Sequence, residues 1–344
     1  MKILVVDDSI VFRTAITTAI TSEKDFEVVR SLANGKLAVD FVKNNPEIDL
    51  VTLDLEMPVM DGIEALKEIR KFNSKIIVIL FSSLTTKGAE KTIEALNAGA
   101  NDFVAKPEVI SNNVDDSLKA IKDELIPKIK AFRDRTQLKQ ELNSTSVSAA
   151  ANSLNLIPKP KLIVLASSTG GPEALGNLFR NLKIKLPVPM LIVQHMPPIF
   201  TQKLAEMLGK LSPNTVSEAK DLESVQSGHV YIAPGDFHMV INKDQTISLN
   251  QNEKVCFVRP SADVLFDSVA LNFKGQVLTI VLTGMGEDGA KGAKRLFQGG
   301  ASVVCQDKES SVVWGMPGST KREIPEAQLI SIDKLGHFLE KVFN

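Results

Sequence analysis

The first nine residues, MKILVVDDS (1–9), decide how the fold is read. A short strand-like run, KILVV (2–6), is stopped by Asp7 and Asp8. A signal peptide would prolong the apolar stretch, whereas here charge ends it, so it reads as a first strand and not a targeting segment. The pattern recurs further along: LVTL (50–53) runs into Asp54, IIVILF (76–81) into Ser82 and DFVA (102–105) into Lys106. In a parallel α/β sheet the carboxyl ends of the strands converge on one crevice, where ligands bind. Asp7, Asp8, Asp54 and Lys106 are therefore predicted to meet. Three carboxylates in a small space repel unless a cation sits among them, and Mg²⁺, a hard ion with oxygen ligands, suits them. A lysine beside them can pair with an incoming phosphoryl group, so the site reads as one that takes phosphate on an aspartate.

Working outward, FEVV (26–29) supplies a further strand, and amphipathic segments lie near 10–22, 35–44, 61–73, 87–98 and 112–131. Five strands alternating with five helices predict a flavodoxin-like, doubly wound, five-stranded parallel sheet over residues 1–128. Residues 129–160 change character: charged, then rich in Ser, Asn and Ala, then closing on Pro158 and Pro160. This stretch reads as an interdomain linker with a helical first half. Residues 161–344 alternate again, with strand-like runs at 162–166, 190–194, 229–233, 277–283 and 301–305. HMVIN (238–242) and TISLN (246–250) read as a β-hairpin. The second half is thus a second α/β domain with a mostly parallel sheet and a hairpin appendage.

The chain has 344 residues, 44% hydrophobic and 24% charged, as expected of two soluble globular domains. A net charge of −1 speaks against a nucleic-acid binder working by bulk charge. Two cysteines, Cys256 and Cys305, are too few for a disulfide framework and read as reduced thiols. No apolar run approaches the ~20 residues of a membrane span. A cytoplasmic monomer without membrane insertion is expected.

The second half carries different chemistry. The run 162–166 ends in Ser167-Ser168-Thr169-Gly170-Gly171-Pro172-Glu173, a strand–turn–helix junction with Pro at an early helical position. Free N–H groups and the positive helix end there favour developing negative charge. The segment is neither a GxSxG elbow nor a P-loop, and taken alone it suits a helix cap or a phosphate site as well as a nucleophile. His195, in QHMPP after 190–194, is the candidate general base, with His238 its rival; His229 and His337 read as structural. TGMGEDGAKG (283–292) offers Asp288 to orient a histidine, with Asp236 and Asp263 as competing carboxylates. Spacing does not choose among them, because triad order differs between folds.

Asp-Asp after the first strand, Asp54 after the third, Ser82 after the fourth and Lys106-Pro107 after the fifth resemble the response-regulator receiver family. SSTGGPEAL, QHMPP, YIAPGDFHM, RPSADVLF, LTGMGEDG and WGMP, in this order behind a receiver, closely resemble the chemotaxis protein-glutamate methylesterases of CheB type. The resemblance implies that Asp54 is the phosphoacceptor and that Asp7, Asp8, Asp54 and the Glu56 carbonyl hold Mg²⁺. Lys106 would pair with the phosphoryl group, and Ser82 and Phe103 would form the switch pair. A cis peptide bond at Lys106–Pro107 suits such a tight turn. In the second half the resemblance implies Ser168 as nucleophile, His195 as base and Asp288 as orienting acid, with the backbone N–H of Met285 and the Thr169 neighbourhood forming the oxyanion hole. Ser167, Val258 and Glu287 depart from residues common in the family, and none falls on the triad. The esterase half is expected to need no cofactor.

The implied activity is hydrolysis of glutamate γ-methyl esters, and deamidation of glutamines, on methyl-accepting chemotaxis receptors. A chemotaxis histidine kinase would be the phosphodonor, and the receiver would restrain the Ser168 site until phosphorylated. Two rivals are a receiver fused to a DNA-binding output and a receptor-docking module without turnover. The second half is far longer than a helix-turn-helix unit and has no conspicuously basic helix, which weighs against the first. An intact Ser168, His195 and Asp288 set weighs against the second.

Overall fold

The computed structural model of the chain describes residues 1–107, 114–144, 157–273 and 275–344, with side chains described outside 114–117 and 137–144. The chain forms two compact units, Met1–Gln137 and Leu138–Asn344. No helix among the described residues is long and apolar enough to cross a membrane.

The first unit runs β1 (Lys2–Val6), α1 (Ile10–Thr21), β2 (Glu27–Leu32), α2 (Gly35–Asn44), β3 (Leu50–Asp54), α3 (Gly62–Phe72), β4 (Ile77–Ser82), α4 (Thr86–Asn97), β5 (Asp102–Ala105) and α5 (Val114–Ser144). Its sheet has the order β2-β1-β3-β4-β5, with every neighbour parallel. Helices cover both faces of such a sheet, so its central strands are buried on both sides; β3 is buried at every position and β4 at all but the first. The edge strand β2 exposes Glu27, Arg30 and Ser31. That exposure is why the apolar run 26–29 stops short of its true end at Leu32. The chain order reverses between β1 and β3, and the crevice outside that reversal receives the loops that begin at Asp7 and Asp54. The Asp54 loop ends in a capping box: Glu64 N–H donates to Asp61 Oδ1 at 2.9 Å and Asp61 N–H to Glu64 Oε2 at 3.3 Å.

Helix α5 buries Ile121, Leu125, Ile126, Ile129 and Phe132, a stripe at helical spacing. Ile129 and Phe132 fall in the stretch read as linker, and the helix continues past them. Residues 145–156 of that stretch lie outside the described residues.

The second unit runs β6 (Leu162–Ser167), α6 (Gly171–Asn181), β7 (Met190–Gln194), α7 (Phe200–Leu211), β8 (Thr215–Glu218), β9 (His229–Ile232), β10 (His238–Ile241), β11 (Ile247–Asn250), α8 (Ala262–Asn272), β12 (Val277–Val281), α9 (Ala290–Gln298), β13 (Ser302–Gln306), α10 (Met316–Glu323), β14 (Gln328–Ile330) and α11 (Ile332–Phe343). Seven strands pair in the order β14-β13-β12-β6-β7-β9-β8, all parallel. β10 and β11 form the expected antiparallel hairpin. The edge strands β8 and β14 escaped the sequence reading: both are short, and half-exposed positions admit polar residues that break an apolar run. Chain order reverses between β6 and β12, so the crevice lies outside these two strands and β7. The cis peptide bond among the described residues is Arg259–Pro260; the one expected at Lys106–Pro107 is not formed.

Candidate active site

Ser167 and Gln194 are partners in the β6–β7 register, so Ser168 and His195 leave neighbouring strands side by side. Adjacent residues of a strand face opposite ways, and this separates the two serines. Ser167 is fully buried, and its hydroxyl donates to Gln194 Oε1 at 2.7 Å. Ser168 is half-buried at the crevice, just ahead of the N-terminus of α6. The β12 loop approaches it closely: a Cβ at Gly284 would lie 2.2 Å from Met316 Sδ and 2.9 Å from Ser168 Cβ. Only glycine admits that approach, and Met285 is the next residue of that loop. Among the described residues the backbone N–H groups of Thr169 and Met285 donate to no protein acceptor. Thr283 Oγ1, fully buried, donates to Thr169 O at 3.0 Å and ties the two loops together.

His195 Nε2 lies 2.8 Å from Asp288 Oδ2. Asp288 also accepts from Ser261 Oγ at 2.6 Å, Ala262 N at 2.6 Å and Asp263 N at 3.1 Å. The carboxylate thus caps α8 from outside that helix and meets the positive end of its dipole. Burial works against its charge, but the bonds from His195, Ser261 and Ala262 outweigh burial, and the Asp288 pKa is lowered. An anion with these donors accepts a proton-bearing Nε2, which leaves Nδ1 of His195 with its lone pair. Ser168 and His195 share no hydrogen bond among the described residues; in ligand-free sites such bonds are often long and tighten with substrate.

The competing residues have other tasks. Asp263 Oδ1 accepts from Gly292 N at 2.6 Å, near the start of α9. Asp236 pairs with Arg259 at 2.6 Å. His238 uses both ring nitrogens, Nε2 on Glu253 O at 3.0 Å and Nδ1 on the Ser261 N–H at 3.2 Å. His229 bonds Ser217 Oγ at 2.8 Å and stacks on Tyr231, while the exposed His337 sits 3.4 Å from Glu340. Three contributors escaped the sequence reading: Gln194, Ser261 and Thr283. Gln194 stands beside His195 in QHMPP and Ser261 opens a helix in RPSAD, but neither pattern reveals a partner on another loop.

The first unit gathers its acidic set as expected: the carboxylates of Asp7, Asp8 and Asp54 lie within 4.8 Å of one another. Lys106 Nζ lies 2.9 Å from Asp7 Oδ2 and 2.8 Å from Asp54 Oδ2. Apart from that ion pair, both oxygens are buried without a hydrogen-bond partner. Burial raises the Asp54 pKa to about 6 against the pull of Lys106, with Asp7 adding to the rise. Burial likewise raises Asp7, with Lys106 opposing. Burial disfavours charge on Lys106, but Asp54 and Asp7 outweigh it and its pKa is raised. Glu56 turns its side chain to Lys91 at 3.3 Å, and its carbonyl accepts no hydrogen bond among the described residues. An all-oxygen donor set of three carboxylates, with Lys106 the lysine paired to two of them, fits a hard divalent cation. Ser82 Oγ donates to Gly88 O at 3.1 Å, and Phe103 is buried beneath the Lys128 ammonium, 5.3 Å from its ring centroid.

A Ser–His–Asp constellation at the switch point of one parallel sheet, preceded by a sheet that gathers three carboxylates and a lysine, is the architecture of a receiver-regulated hydrolase. The comparisons with known proteins agree. Residues 163–339 match the CheB methylesterase family and residues 3–115 the response regulator receiver domain. A protein-glutamate methylesterase/protein-glutamine glutaminase of Nocardioides sp. is 41% identical over 93% of this chain and 89% of its own. Its namesake from Thermotoga maritima is 40% identical over 94% and 93%. The crystal structure of the Thermotoga maritima CheB methylesterase catalytic domain superposes with a TM-score of 0.51 at 40% identity, covering 54% of this chain and all of that one. The chain belongs to the CheB methylesterase family.

Proposed function

We propose that this chain is a phosphorylation-activated hydrolase that removes glutamate γ-methyl esters from methyl-accepting chemotaxis receptors and deamidates receptor glutamines. The observation that carries the reading is the 2.8 Å contact between His195 Nε2 and an Asp288 held by three further donors. It orients Nδ1 as the proton acceptor and leaves Ser168 as the hydroxyl at the crevice. His195 takes the Ser168 proton as Oγ attacks the ester carbonyl. The N–H groups of Met285 and Thr169 receive the oxyanion, and one such donor is typically worth ~10²–10³-fold. The protonated His195 then gives its proton to the departing methoxide, and methanol leaves. Water, deprotonated by His195, attacks the acyl carbonyl; His195 returns that proton to Ser168 Oγ as the acyl–oxygen bond breaks, and the free glutamate side chain leaves. With a glutamine substrate the leaving group is ammonia and the steps are otherwise the same.

Asp54 accepts the phosphoryl group, from a chemotaxis histidine kinase, and Lys106 pairs with it. Asp7, Asp8, Asp54 and the Glu56 carbonyl would hold Mg²⁺, which when bound neutralises phosphoryl charge. Ser82 and Phe103 report the modification by leaving Gly88 and the Lys128 contact. Phosphate adds about two negative charges and three acceptor oxygens, enough to redirect a hydroxyl and a buried lysine. The test of the triad is methanol release from methylated receptor membranes. Ser168→Ala is expected to lower it by more than about 10⁴-fold, while Ser167→Ala keeps most of it; the reverse result would sink the assignment.

A further inference from the structure

We infer that Gln194 is a positioning residue whose side-chain amide holds the Ser168 and His195 loops at a working separation; this rests on the Ser168–His195 reading above. Gln194 ends β7 and is 1% exposed. The backbone ladder between β6 and β7 finishes with His195 N–H on Ser167 O at 3.2 Å. Beyond that bond, no backbone hydrogen bond joins the two loops among the described residues. The Gln194 amide supplies the next tie. Its Oε1 accepts the Ser167 hydroxyl at 2.7 Å. Its Nε2 donates to Ser168 O at 3.0 Å and to His195 O at 3.2 Å. Both N–H bonds therefore end on the backbone carbonyls of the nucleophile and the base themselves.

The pattern of donors and acceptors is specific to an amide. An ionised Glu there accepts but cannot donate, and Met donates nothing and accepts only weakly. The neighbouring helix has made room for this group. A Cβ at Gly171, the first residue of α6, would lie 2.0 Å from Gln194 Oε1. Ser168 O also accepts from Gly171 N at 2.7 Å, so the nucleophile turn stays closed without Gln194. What disappears is the lateral link to the histidine. The proton transfer needs the Ser168 hydroxyl and the imidazole within about 2.6–3.2 Å, and a 1 Å misplacement can cost about 10²-fold in rate. Gln194, buried beneath them, acts through these two residues.

The test measures methanol release from methylated receptor membranes by the full-length protein carrying Gln194→Glu, Gln194→Met or Gly171→Ala. Each substitution is expected to lower kcat by about 10–100-fold with KM held within about twofold. In a Gln194→Ala background, where the amide struck by a new Cβ is gone and the nearest remaining neighbour is Ser167 Cβ at 3.0 Å, Gly171→Ala should cost far less kcat than it does in the wild type. A role in folding alone would lower the yield of active enzyme or its melting temperature without this kcat-selective loss and without the non-additivity. A wild-type kcat in Gln194→Glu, a loss carried by KM, or an additive Gly171→Ala effect would each overturn the inference. Ser168→Ala in the same assay separates the two readings. If it retains turnover, the nucleophile assignment fails; if it is inactive while Gln194→Glu is not, only the role of Gln194 fails.

Discussion

Asp54 and Asp288 are both buried aspartates beside the switch point of a parallel sheet, yet their surroundings push them in opposite directions. Asp288 collects four donors from His195, Ser261 and the first N–H groups of α8, and its pKa is lowered despite burial. Asp54 shares a single lysine with Asp7 and is pushed by burial to about 6. The contrast teaches how one residue type serves two ends. A carboxylate whose lone pairs are already used can orient a histidine and do nothing else. A carboxylate left short of positive charge is ready for a cation and for a covalent partner.

The largest expected effect falls on the satisfied anion. Asp288→Asn presents an amide that cannot accept from all four donors and permits the wrong His195 tautomer, so kcat should fall by about 10³–10⁴-fold. Methanol release measures this, and a loss under tenfold would mean that Asp288 does not orient the base. Asp54→Ala tests the other pole. Basal methanol release should persist, and stimulation by a small-molecule phosphodonor should vanish. Stimulation that survives would move the phosphoacceptor elsewhere.

Smaller effects concern stability. Mg²⁺ at about 100 times its dissociation constant should stabilise the first unit by about 2.7 kcal/mol, read as a rise in melting temperature that Asp54→Ala or Asp7→Ala reduces. An unchanged melting temperature in the wild type would contradict the cation site. The smallest signal is the pH slope, and here the two aspartates carry opposite signs. Asp54 is raised from 3.8 to about 6, so between those values the folded state binds more protons than the unfolded one. In metal-free buffer its contribution therefore declines as pH rises through that window, by roughly 1–3 kcal/mol, and Asp54→Asn should remove the decline. Asp288 is lowered, so its contribution is present above the ordinary carboxylate range and is lost as pH falls through its folded pKa. Urea denaturation of wild type and Asp54→Asn across this range checks the first sign, and parallel curves would refute it.

Much of both sites was legible because each side chain stands at the end of an apolar run. Runs of β-forming residues announce β1, β3, β6 and β7; topology alone brings Asp7 and Asp54 to the carboxyl edge of the first sheet, and Ser168 and His195 to that of the second. The edge strands β8 and β14 were not legible, since their half-exposed positions hold Glu218, Ser217 and Gln328 where a core strand would hold apolar residues. The first half of the stretch 129–160 was read as helical linker, but its charged outer face masks a buried stripe of α5 that continues to Phe132.

The sequence by itself determined two α/β sheets, the gathering of Asp7, Asp8, Asp54 and Lys106, and the short list of residues from which a serine centre would be drawn. Within that list the motif resemblance already pointed to Ser168, His195 and Asp288, and what the tertiary structure adds is the partner of each candidate. Ser167 and Ser168 are equivalent as letters, and they separate once pleating turns one into the core against Gln194. Asp236, Asp263 and Asp288 are equally plausible as carboxylates, and they separate once α8 offers its free N–H groups to Asp288, Arg259 claims Asp236 and α9 claims Asp263. The physical reason is common to both choices. Which partner satisfies a buried polar group depends on contacts between loops far apart in the chain, and no local pattern encodes them.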